Sequence, residues 1–203
     1  MSGDGPRRRL PSSGPVFDSV LAADAALRAW FTTHHTPWLD AVMLTLSSLG
    51  QAGTLWIILA AVARLENPRR AGRLWQMLLA IGLAYLLVDY VLKPGFARTR
   101  PFDAMLDVRI VGFRPVTYSF PSGHACSAFA GAWVLTLMWH RIAWLFWILA
   151  ALIAFSRIYI GVHYPIDVLA GALLGLVVGA LVTGGRACYI ERLSPRAVAS
   201  HGP

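Results

Sequence analysis

Charged residues are scarce in this sequence. Aspartate, glutamate, lysine and arginine make up 14% of its 203 residues, whereas soluble domains usually carry about a quarter. Hydrophobic residues instead make up 57%. They do not follow the 3.6-residue period of surface helices, and a chain of this length is too short to bury so many of them in a soluble core. The shortage of charge therefore argues against a soluble domain and indicates that lipid is the main solvent.

Cysteine is nearly absent as well. The two cysteines, Cys126 and Cys188, fall at or near opposite ends of the predicted membrane region, too far apart to be bridged. The arginines at positions 7–9 are not followed by an apolar run, so no secretory signal peptide is expected. We predict a disordered N-terminal tail over residues 1–15, a membrane domain over residues 16–190 and a C-terminal tail over residues 191–203.

Long apolar runs are what the chain does contain. Residues 16–31 mix apolar and charged side chains and are predicted to form a helix at the membrane interface. Four later runs approach the roughly 20 residues that cross a bilayer. They are Leu74 to Leu92, Ala125 to Trp139, Ile142 to Ile160 and Ile166 to Thr183.

A further apolar segment, residues 38–65, is interrupted in its middle by Ser47, Ser48, Gly50, Gln51 and Gly53. Two interpretations fit it. Either Trp38 to Leu49 lies along the surface and a short span begins near Gly53, or the whole segment enters and returns as two half-helices. With either interpretation we predict an all-α, polytopic membrane helical bundle of about five or six spans, with its active site at one membrane face.

Basic residues give the chain a net charge of +8, but they do not form the helical stripe of a nucleic-acid-binding protein. They sit at the ends of the predicted spans, and the loops on one side contain Arg64, Arg69, Arg70, Arg73, Arg141, Arg186, Arg192 and Arg196. Cytoplasmic loops of membrane proteins show this excess of arginine. We therefore expect no nucleic-acid partner, and we predict an integral protein of the inner membrane whose other face is periplasmic or external.

Three polar clusters share that other face. They run from Lys93 to Pro101, from Phe120 to His124 and from Ser156 to Asp167. The first, taken alone, is explained as well by basic side chains that reach toward lipid headgroups. The second, taken alone, is explained equally well as an ordinary helix cap beside a histidine. The third places an arginine, a histidine and an aspartate at one membrane edge, which packing does not readily explain.

The second and third clusters contain groups suited to an anion. Ser122 is placed to cap a helix whose free amides and dipole attract anions, and Gly123 lets a ligand approach the backbone closely. Pro165 suits the first turn of the last helix, which puts His163 just before that helix and Asp167 within its first turn. A carboxylate there can accept one imidazole N–H and leave the other ring nitrogen free to attack.

Cations complete this set of groups. Arg100 and Arg157 offer planar forks for a phosphate, and Lys93 offers a point charge. Phosphoryl transfer depends mainly on positioning and on neutralising charge on the phosphate oxygens. No acidic cluster with metal-ligand spacing accompanies these residues, so we expect neither a metal nor another cofactor.

These motifs resemble the signatures of the type 2 phosphatidic acid phosphatase superfamily. The family patterns Lys-x6-Arg-Pro, Pro-Ser-Gly-His and Ser-Arg-x5-His-x3-Asp are matched at Lys93 to Pro101, Pro121 to His124 and Ser156 to Asp167. The fixed positions occur in the family's order with apolar segments between them, so a chance match is improbable. The resemblance is strong from Lys93 to Gly179 and weaker from Pro37 to Gly50.

The resemblance implies a role for each matched residue. His163 attacks phosphorus, Asp167 orients it, and His124 protonates the leaving oxygen. A further set holds the phosphate: Lys93, Arg100, Ser122, Gly123 and Arg157. We therefore expect a metal-independent membrane phosphatase that acts on a lipid phosphate or diphosphate through a phosphohistidine intermediate. Its partners are the bilayer and a lipid substrate, and the sequence makes no prediction about its oligomeric state.

Three other functions share some of these features. Soluble vanadium-dependent haloperoxidases use the same constellation to hold vanadate, but the predicted spans argue against them. A non-catalytic membrane protein of the same fold would be expected to have lost a catalytic residue. A transporter needs charged groups near the bilayer midplane, and the one candidate, Asp89, lies four residues before Lys93 and is predicted to be its helical partner.

Among substrates, polyprenyl diphosphate, phosphatidic acid and phosphatidylglycerol phosphate all fit, and we favour the first because the site is predicted to face outward.

Overall fold

The computed structural model describes residue 19 and residues 22–28, 35–104 and 109–184, and the regular elements in these ranges are helices. The predicted tails over residues 1–15 and 191–203 lie outside the described residues, as does Cys188. The predicted interfacial helix over residues 16–31 is described only in part, and residues 22–28 of it are helical.

After that first segment, the described chain forms the following α-helices: α1 (Pro37–Leu49), α2 (Thr54–Glu66), α3 (Ala71–Tyr85), α4 (Lys93–Phe96), α5 (Pro101–Ala104), α6 (Gly123–Met138), α7 (Ala143–Tyr159) and α8 (Pro165–Val182). A π-helical stretch (Leu86–Leu92) joins α3 to α4, so the backbone stays helical from Ala71 to Phe96, which includes the start of the Lys93 cluster.

Helix α6 lies at the centre of the bundle and packs against α2, α3, α7 and α8. Small residues cover much of its surface, and Ala125, Ala128 and Ala132 are fully buried. The main core forms around it from Trp56 of α2, Met77 of α3, Leu135 of α6 and Ile153 of α7, among others. A helix that is apolar on every side is buried or surrounded by lipid.

Two glycines allow α8 to approach α6 closely. A Cβ atom at Gly175 would lie 2.2 Å from the carbonyl oxygen of Cys126, and one at Gly171 would lie 2.3 Å from that of Ser122. A side chain at either position would push the two helices apart. This contact sets the first turns of both helices side by side, where the Ser122 N–H donates to the Asp167 carbonyl at 2.9 Å.

The all-helical membrane bundle is confirmed, but the predicted number of five or six spans is not. In the described part of the chain, three helical stretches are long and apolar enough to cross a bilayer: Pro68–Ala104, His140–Tyr159 and Pro165–Val182. The pair Pro37–Leu49 and Gln51–Glu66 makes a fourth if it counts as one span. Helix α6 has 16 residues, short for a span on its own.

The break between α1 and α2 coincides with the polar interruption in the sequence. Ala52 and Gly53 adopt positive φ angles of 49° and 71° there, and the two helices differ in direction by 48°. An entering and returning pair would need a near reversal of direction, so this geometry is closer to a bent span. Ser47 of α1 contacts Arg157 near the end of α7, whereas Trp56 of α2 lies in the core.

The loops separate to the two ends of the bundle as their charges predict. At one end the Arg70 guanidinium lies 5.3 Å from the ring centroid of Trp139, and Gln76 donates to the carbonyl of Val182 at 3.4 Å. These contacts join the arginine-rich loop, the α6–α7 turn and the end of α8. The three polar clusters lie at the opposite end.

Candidate active site

The three clusters meet around one cavity of about 750 Å³. Its polar lining includes six of the eight residues singled out from the sequence: Lys93, Arg100, Gly123, His124, Arg157 and His163. The other two, Ser122 and Asp167, are fully buried behind the wall. The fold therefore brings together residues that are far apart in the sequence, such as Lys93 and His163, which are 70 positions apart.

His163 sits in the tight turn between α7 and α8. Its backbone N–H donates to the Arg157 carbonyl at 3.3 Å, and its side chain is only 2% exposed. Burial is the main cause that lowers the pKa of His163 to about 3; Arg100 and Arg157 act in the same direction, and Asp167 opposes them. The imidazole is therefore neutral at physiological pH, as a nucleophile must be.

The two ring nitrogens of His163 face different neighbours. Nδ1 lies 3.6 Å from Oδ2 of Asp167 and has no hydrogen-bond partner among the described residues. Nε2 lies 3.4 Å from Nη1 of Arg100, which lines the cavity. A small shift would bring Nδ1 into hydrogen-bonding distance of the carboxylate, and such catalytic contacts are often long before substrate binds.

Asp167 is held by three donors. Its Oδ2 accepts from Ser119 Oγ at 2.5 Å and from the Tyr164 N–H at 3.0 Å, the latter closing the first turn of α8 as in a capping box. Its Oδ1 accepts from Nη1 of Arg98 at 2.5 Å. Sequence reasoning missed Ser119 and Arg98. Arg98 lies inside the first cluster, but at a position that the family pattern leaves open.

Arg100 serves mainly as an anchor in this structure. Its Nε donates to the Thr117 carbonyl at 2.6 Å and its Nη1 to the Val162 carbonyl at 2.8 Å. Its Nη2 donates to Thr117 Oγ1 and to the Tyr118 carbonyl, both at 3.1 Å. The fork predicted for phosphate is thus largely occupied by the loop before α6 and the turn before α8, although its positive charge stays beside the cavity.

Arg157 retains one unsatisfied donor among the described residues. Its guanidinium is buried, Nη1 donates to Ser47 Oγ, and Nε has no hydrogen-bond partner among the residues that the structure describes. An unpaired donor on a buried charge is costly unless a ligand completes it. Since Arg157 lines the cavity, it is the arginine best placed to receive an anion there.

Lys93 and the start of α6 complete the polar wall. Lys93 Nζ donates to Asp89 Oδ1 at 2.5 Å and to Thr117 Oγ1 at 3.3 Å, which confirms Asp89 as its helical partner. Ser122 caps α6 by accepting from the Ala125 N–H at 3.4 Å. Gly123 and His124, in the first turn of α6, line the cavity at the positive end of that helix.

Residues 73–187 match the family model described as the PAP2 superfamily. The match covers more than half of the chain. This protein belongs to the PAP2 superfamily.

Relatives of this PAP2 chain include lipid phosphatases. It is 34% identical to an undecaprenyl-diphosphatase of Sulfolobus acidocaldarius over 139 residues, which is 68% of this chain and 66% of that enzyme. Its fold matches the crystal structure of a transmembrane PAP2-type phosphatidylglycerolphosphate phosphatase from Bacillus subtilis with a TM-score of 0.69. The two are 29% identical, and the match covers 88% of this chain and 89% of the other.

A vanadium-dependent bacterial iodoperoxidase has a similar fold. Its TM-score is 0.68 at 16% identity, and the match covers 89% of this chain and 52% of the peroxidase. At that level of identity the likeness concerns the fold alone. The family resemblance predicted from the three motifs is confirmed by the match to the family model. The undecaprenyl-diphosphatase and the phosphatidylglycerolphosphate phosphatase described above both act on lipid phosphates.

The PAP2 cavity continues away from its polar wall into an apolar cleft. The cleft lies between the α1–α2 break and α3 and is lined by Leu44, Ile57, Leu78, Ile81 and Tyr85. Leu78 and Tyr85 are exposed on α3, in a stretch apolar enough to span the membrane. The cavity can therefore accept a ligand with a charged head and an apolar chain.

Within residues 19, 22–28, 35–104 and 109–184, no group of three or more histidine, cysteine, aspartate or glutamate side chains has the arrangement to hold a metal ion. The pair beside the cavity, His163 and Asp167, faces Arg98, Arg100 and Arg157 instead. The positive charge beside the cavity is supplied by protein side chains.

Proposed function

We propose that this chain is a lipid phosphate phosphatase that hydrolyses a phosphomonoester or diphosphate of a membrane lipid through a phosphohistidine at His163. The observation that carries the proposal is the single cavity in which Arg157, with its unpaired buried Nε, and the neutral His163 adjoin an apolar cleft. A phosphate head at Arg157 and a lipid chain in the cleft would fill that cavity.

In the first half-reaction, the phosphate binds between Arg157, Lys93 and the free amides at the start of α6. Nε2 of His163 attacks phosphorus, so that an N–P bond forms while the P–O bond to the lipid breaks. His124, which must be protonated once the phosphate anion has bound beside it, supplies the proton to the leaving oxygen. Asp167 accepts a hydrogen bond from the Nδ1–H group of His163 and so selects the tautomer whose Nε2 is free. Its negative charge also stabilises the positive charge that develops on the ring.

In the second half-reaction, water attacks the phosphohistidine. His124, now neutral, takes a proton from that water, the N–P bond breaks, and inorganic phosphate leaves. Lys93, Arg100 and Arg157 neutralise the equatorial oxygens in both steps, a task that many phosphoryl-transfer enzymes assign to a metal ion. The proposed chemistry is therefore metal-independent.

A polyprenyl diphosphate is the substrate we favour. The similarity to an undecaprenyl-diphosphatase supports it, and the apolar cleft lined by Leu44, Ile57, Leu78, Ile81 and Tyr85 offers a surface for an isoprenoid chain. We propose that the site faces the periplasm or exterior of the inner membrane, because the arginine-rich loops lie at the opposite end of the bundle.

Phosphate release by the purified full chain in detergent tests the proposal. The panel consists of undecaprenyl diphosphate, phosphatidylglycerol phosphate and phosphatidic acid, each with and without EDTA. We expect release from at least one lipid, fastest from the first, and no loss of rate in EDTA. Complete inactivity on all three contradicts the proposed function, and inactivation by EDTA that magnesium reverses contradicts the metal-independent step.

A further inference from the structure

Asp24, in the first helical segment of the described chain, lies close to the proposed catalytic pair of His163 and Asp167. Asp24 lies in residues 22–28, far from the three motifs in sequence, yet its side chain is only 1% exposed. Oδ1 accepts from the Ile166 N–H at 2.9 Å, and Oδ2 accepts from Nη2 of Arg98 at 2.8 Å. Both contacts lie next to Asp167.

Arg98 links this carboxylate to Asp167. Its Nη2 donates to Asp24 and its Nη1 donates to Asp167 Oδ1 at 2.5 Å. Its guanidinium carbon also lies 4.1 Å from the ring centroid of Tyr164, a cation–π distance. A guanidinium held on both edges and on one face has little rotational freedom. Arg98 therefore connects Asp24 rigidly to Asp167, which in turn lies beside His163.

The charges in this chain matter as much as the geometry. Two carboxylates share one guanidinium, so the group of Asp24, Arg98 and Asp167 carries one net negative charge next to His163. Without the Asp24 charge, Arg98 would pair with Asp167 alone and would neutralise it. The imidazole gains positive charge as it attacks phosphorus, and a neutral pair stabilises that charge less than an anionic group does.

The backbone contact adds a second effect. The Ile166 N–H is one of the donors in the first turn of α8 that lack a partner within the helix. By accepting from it, Asp24 fixes the turn that carries Asp167. The neighbouring donor at Tyr164 is taken by Asp167 itself.

We propose that Asp24 is a positioning residue for the phosphatase reaction. Through Arg98 and the first turn of α8, it holds the Asp167 carboxylate toward His163 and keeps that carboxylate's negative charge available to the imidazole. The proposal rests on the proposed function, in which His163 attacks phosphorus and Asp167 orients it.

Asp24→Asn tests this role in the full chain, purified in detergent, with undecaprenyl diphosphate or whichever panel lipid the wild type hydrolyses. We expect kcat to fall on the order of 10- to 100-fold, by analogy with the loss seen when a group that orients a metal-ligating histidine is altered. KM should stay within about twofold, because Asp24 does not touch the phosphate. The rate of phosphoenzyme formation in rapid quench should fall with kcat.

Asp40→Asn is the matched control. Asp40 is also a buried carboxylate at this end of the bundle, and it accepts from Tyr159 at 2.8 Å and from Arg109 at 3.1 Å. It contacts neither Arg98 nor Asp167 in the described structure. Asp24→Asn and Asp40→Asn each remove a buried charge, so we expect both to lower the melting temperature, but only Asp24→Asn to lower kcat about 10-fold or more.

A double-mutant cycle separates positioning from general stability. If Asp24 acts through Arg98, then Asp24→Asn should slow an Arg98→Gln enzyme by much less than it slows the wild type. If the Asn variant cannot be recovered folded, Asp24→Glu replaces it, with an expected fall of a few fold in kcat and an unchanged KM.

Wild-type kcat in Asp24→Asn, or in Asp24→Glu where that replaces it, overturns the proposal. Fully additive losses with Arg98→Gln, or a loss in Asp40→Asn as large as that in Asp24→Asn, also overturn it. A wild-type protein without phosphatase activity contradicts the proposed function instead, so the two failures are distinguished by the wild-type measurement.

Discussion

Nδ1 of His163 and Oδ2 of Asp167 face each other at 3.6 Å, with both side chains almost fully buried. The separation is too long for a hydrogen bond, yet Asp167 is fixed on its other sides by Ser119, Arg98 and the Tyr164 N–H. The carboxylate is thus held in place while the imidazole still has room to move toward it. The first prediction follows from this arrangement.

Asp167→Asn should lower kcat by as much as ~10⁴, by analogy with the serine-protease triad, because an amide favours the wrong imidazole tautomer. KM should change little, since Asp167 lies behind the cavity wall and not in it. Steady-state kinetics on the best panel lipid measure both constants. A variant with near wild-type kcat would show that Asp167 does not orient the nucleophile.

The low pKa of His163 predicts a pH dependence of folding stability. The folded protein keeps this histidine neutral down to about pH 3, whereas the unfolded chain binds a proton near pH 6.5. Stability from this group is therefore complete above about pH 6.5 and is lost as pH falls toward 3. Thermal unfolding in detergent between about pH 7 and pH 4 measures the loss.

His163→Asn is the control for that experiment, because asparagine does not titrate. Its melting temperature should fall less steeply over the same pH range than that of the wild type. Parallel curves for the two proteins would mean that His163 is not held neutral by the fold.

Arg157 and Arg100 should respond differently to replacement by glutamine. Arg157→Gln removes a positive charge that lines the cavity and one contact to Ser47, so kcat/KM should fall by about 10² to 10³ while the melting temperature falls less than in Arg100→Gln. Arg100→Gln removes bonds to Thr117, Val162 and Tyr118, so it should also lower the melting temperature by about 3 °C or more. The same stability loss in both variants would contradict the anchoring role of Arg100.

The sequence predicted the parts of this site that local patterns encode. Lys93, His124 and His163 each follow or begin an apolar helix, and the helix order alone brings them to one end of the bundle. Asp24 and Ser119 escaped prediction because their importance comes from tertiary contacts with Arg98 and Asp167, which no spacing reveals.

The same limit applies to the fold. The break after Leu49 was predicted from its glycines and serines, because local chemistry sets it. The predicted number of five or six spans was not confirmed. An apolar run such as α6, with 16 residues, is short for a span, and its place in the bilayer depends on the neighbouring helices. Arg100 was interpreted as a phosphate fork because sequence cannot show that backbone carbonyls already occupy its donors.

Single cysteines at Val116 and Asn67 test the membrane orientation in a background that lacks Cys126 and Cys188. Val116 is 95% exposed in the loop before α6, and Asn67 is exposed in the arginine-rich loop at the other end. A membrane-impermeant thiol reagent on intact cells should label position 116 and not position 67. Labelling at 67 alone would reverse the proposed topology.

The covalent intermediate at His163 is the central claim, and rapid-quench labelling tests it most directly. With substrate radioactive in its terminal phosphate, we predict an acid-labile, alkali-stable adduct whose peptide map leads to His163. His163→Ala should lose both the adduct and turnover. His124→Ala should still form the adduct from a phosphate ester whose leaving group needs no protonation. A label on His124, or turnover near the wild-type rate in His163→Ala, would contradict the account.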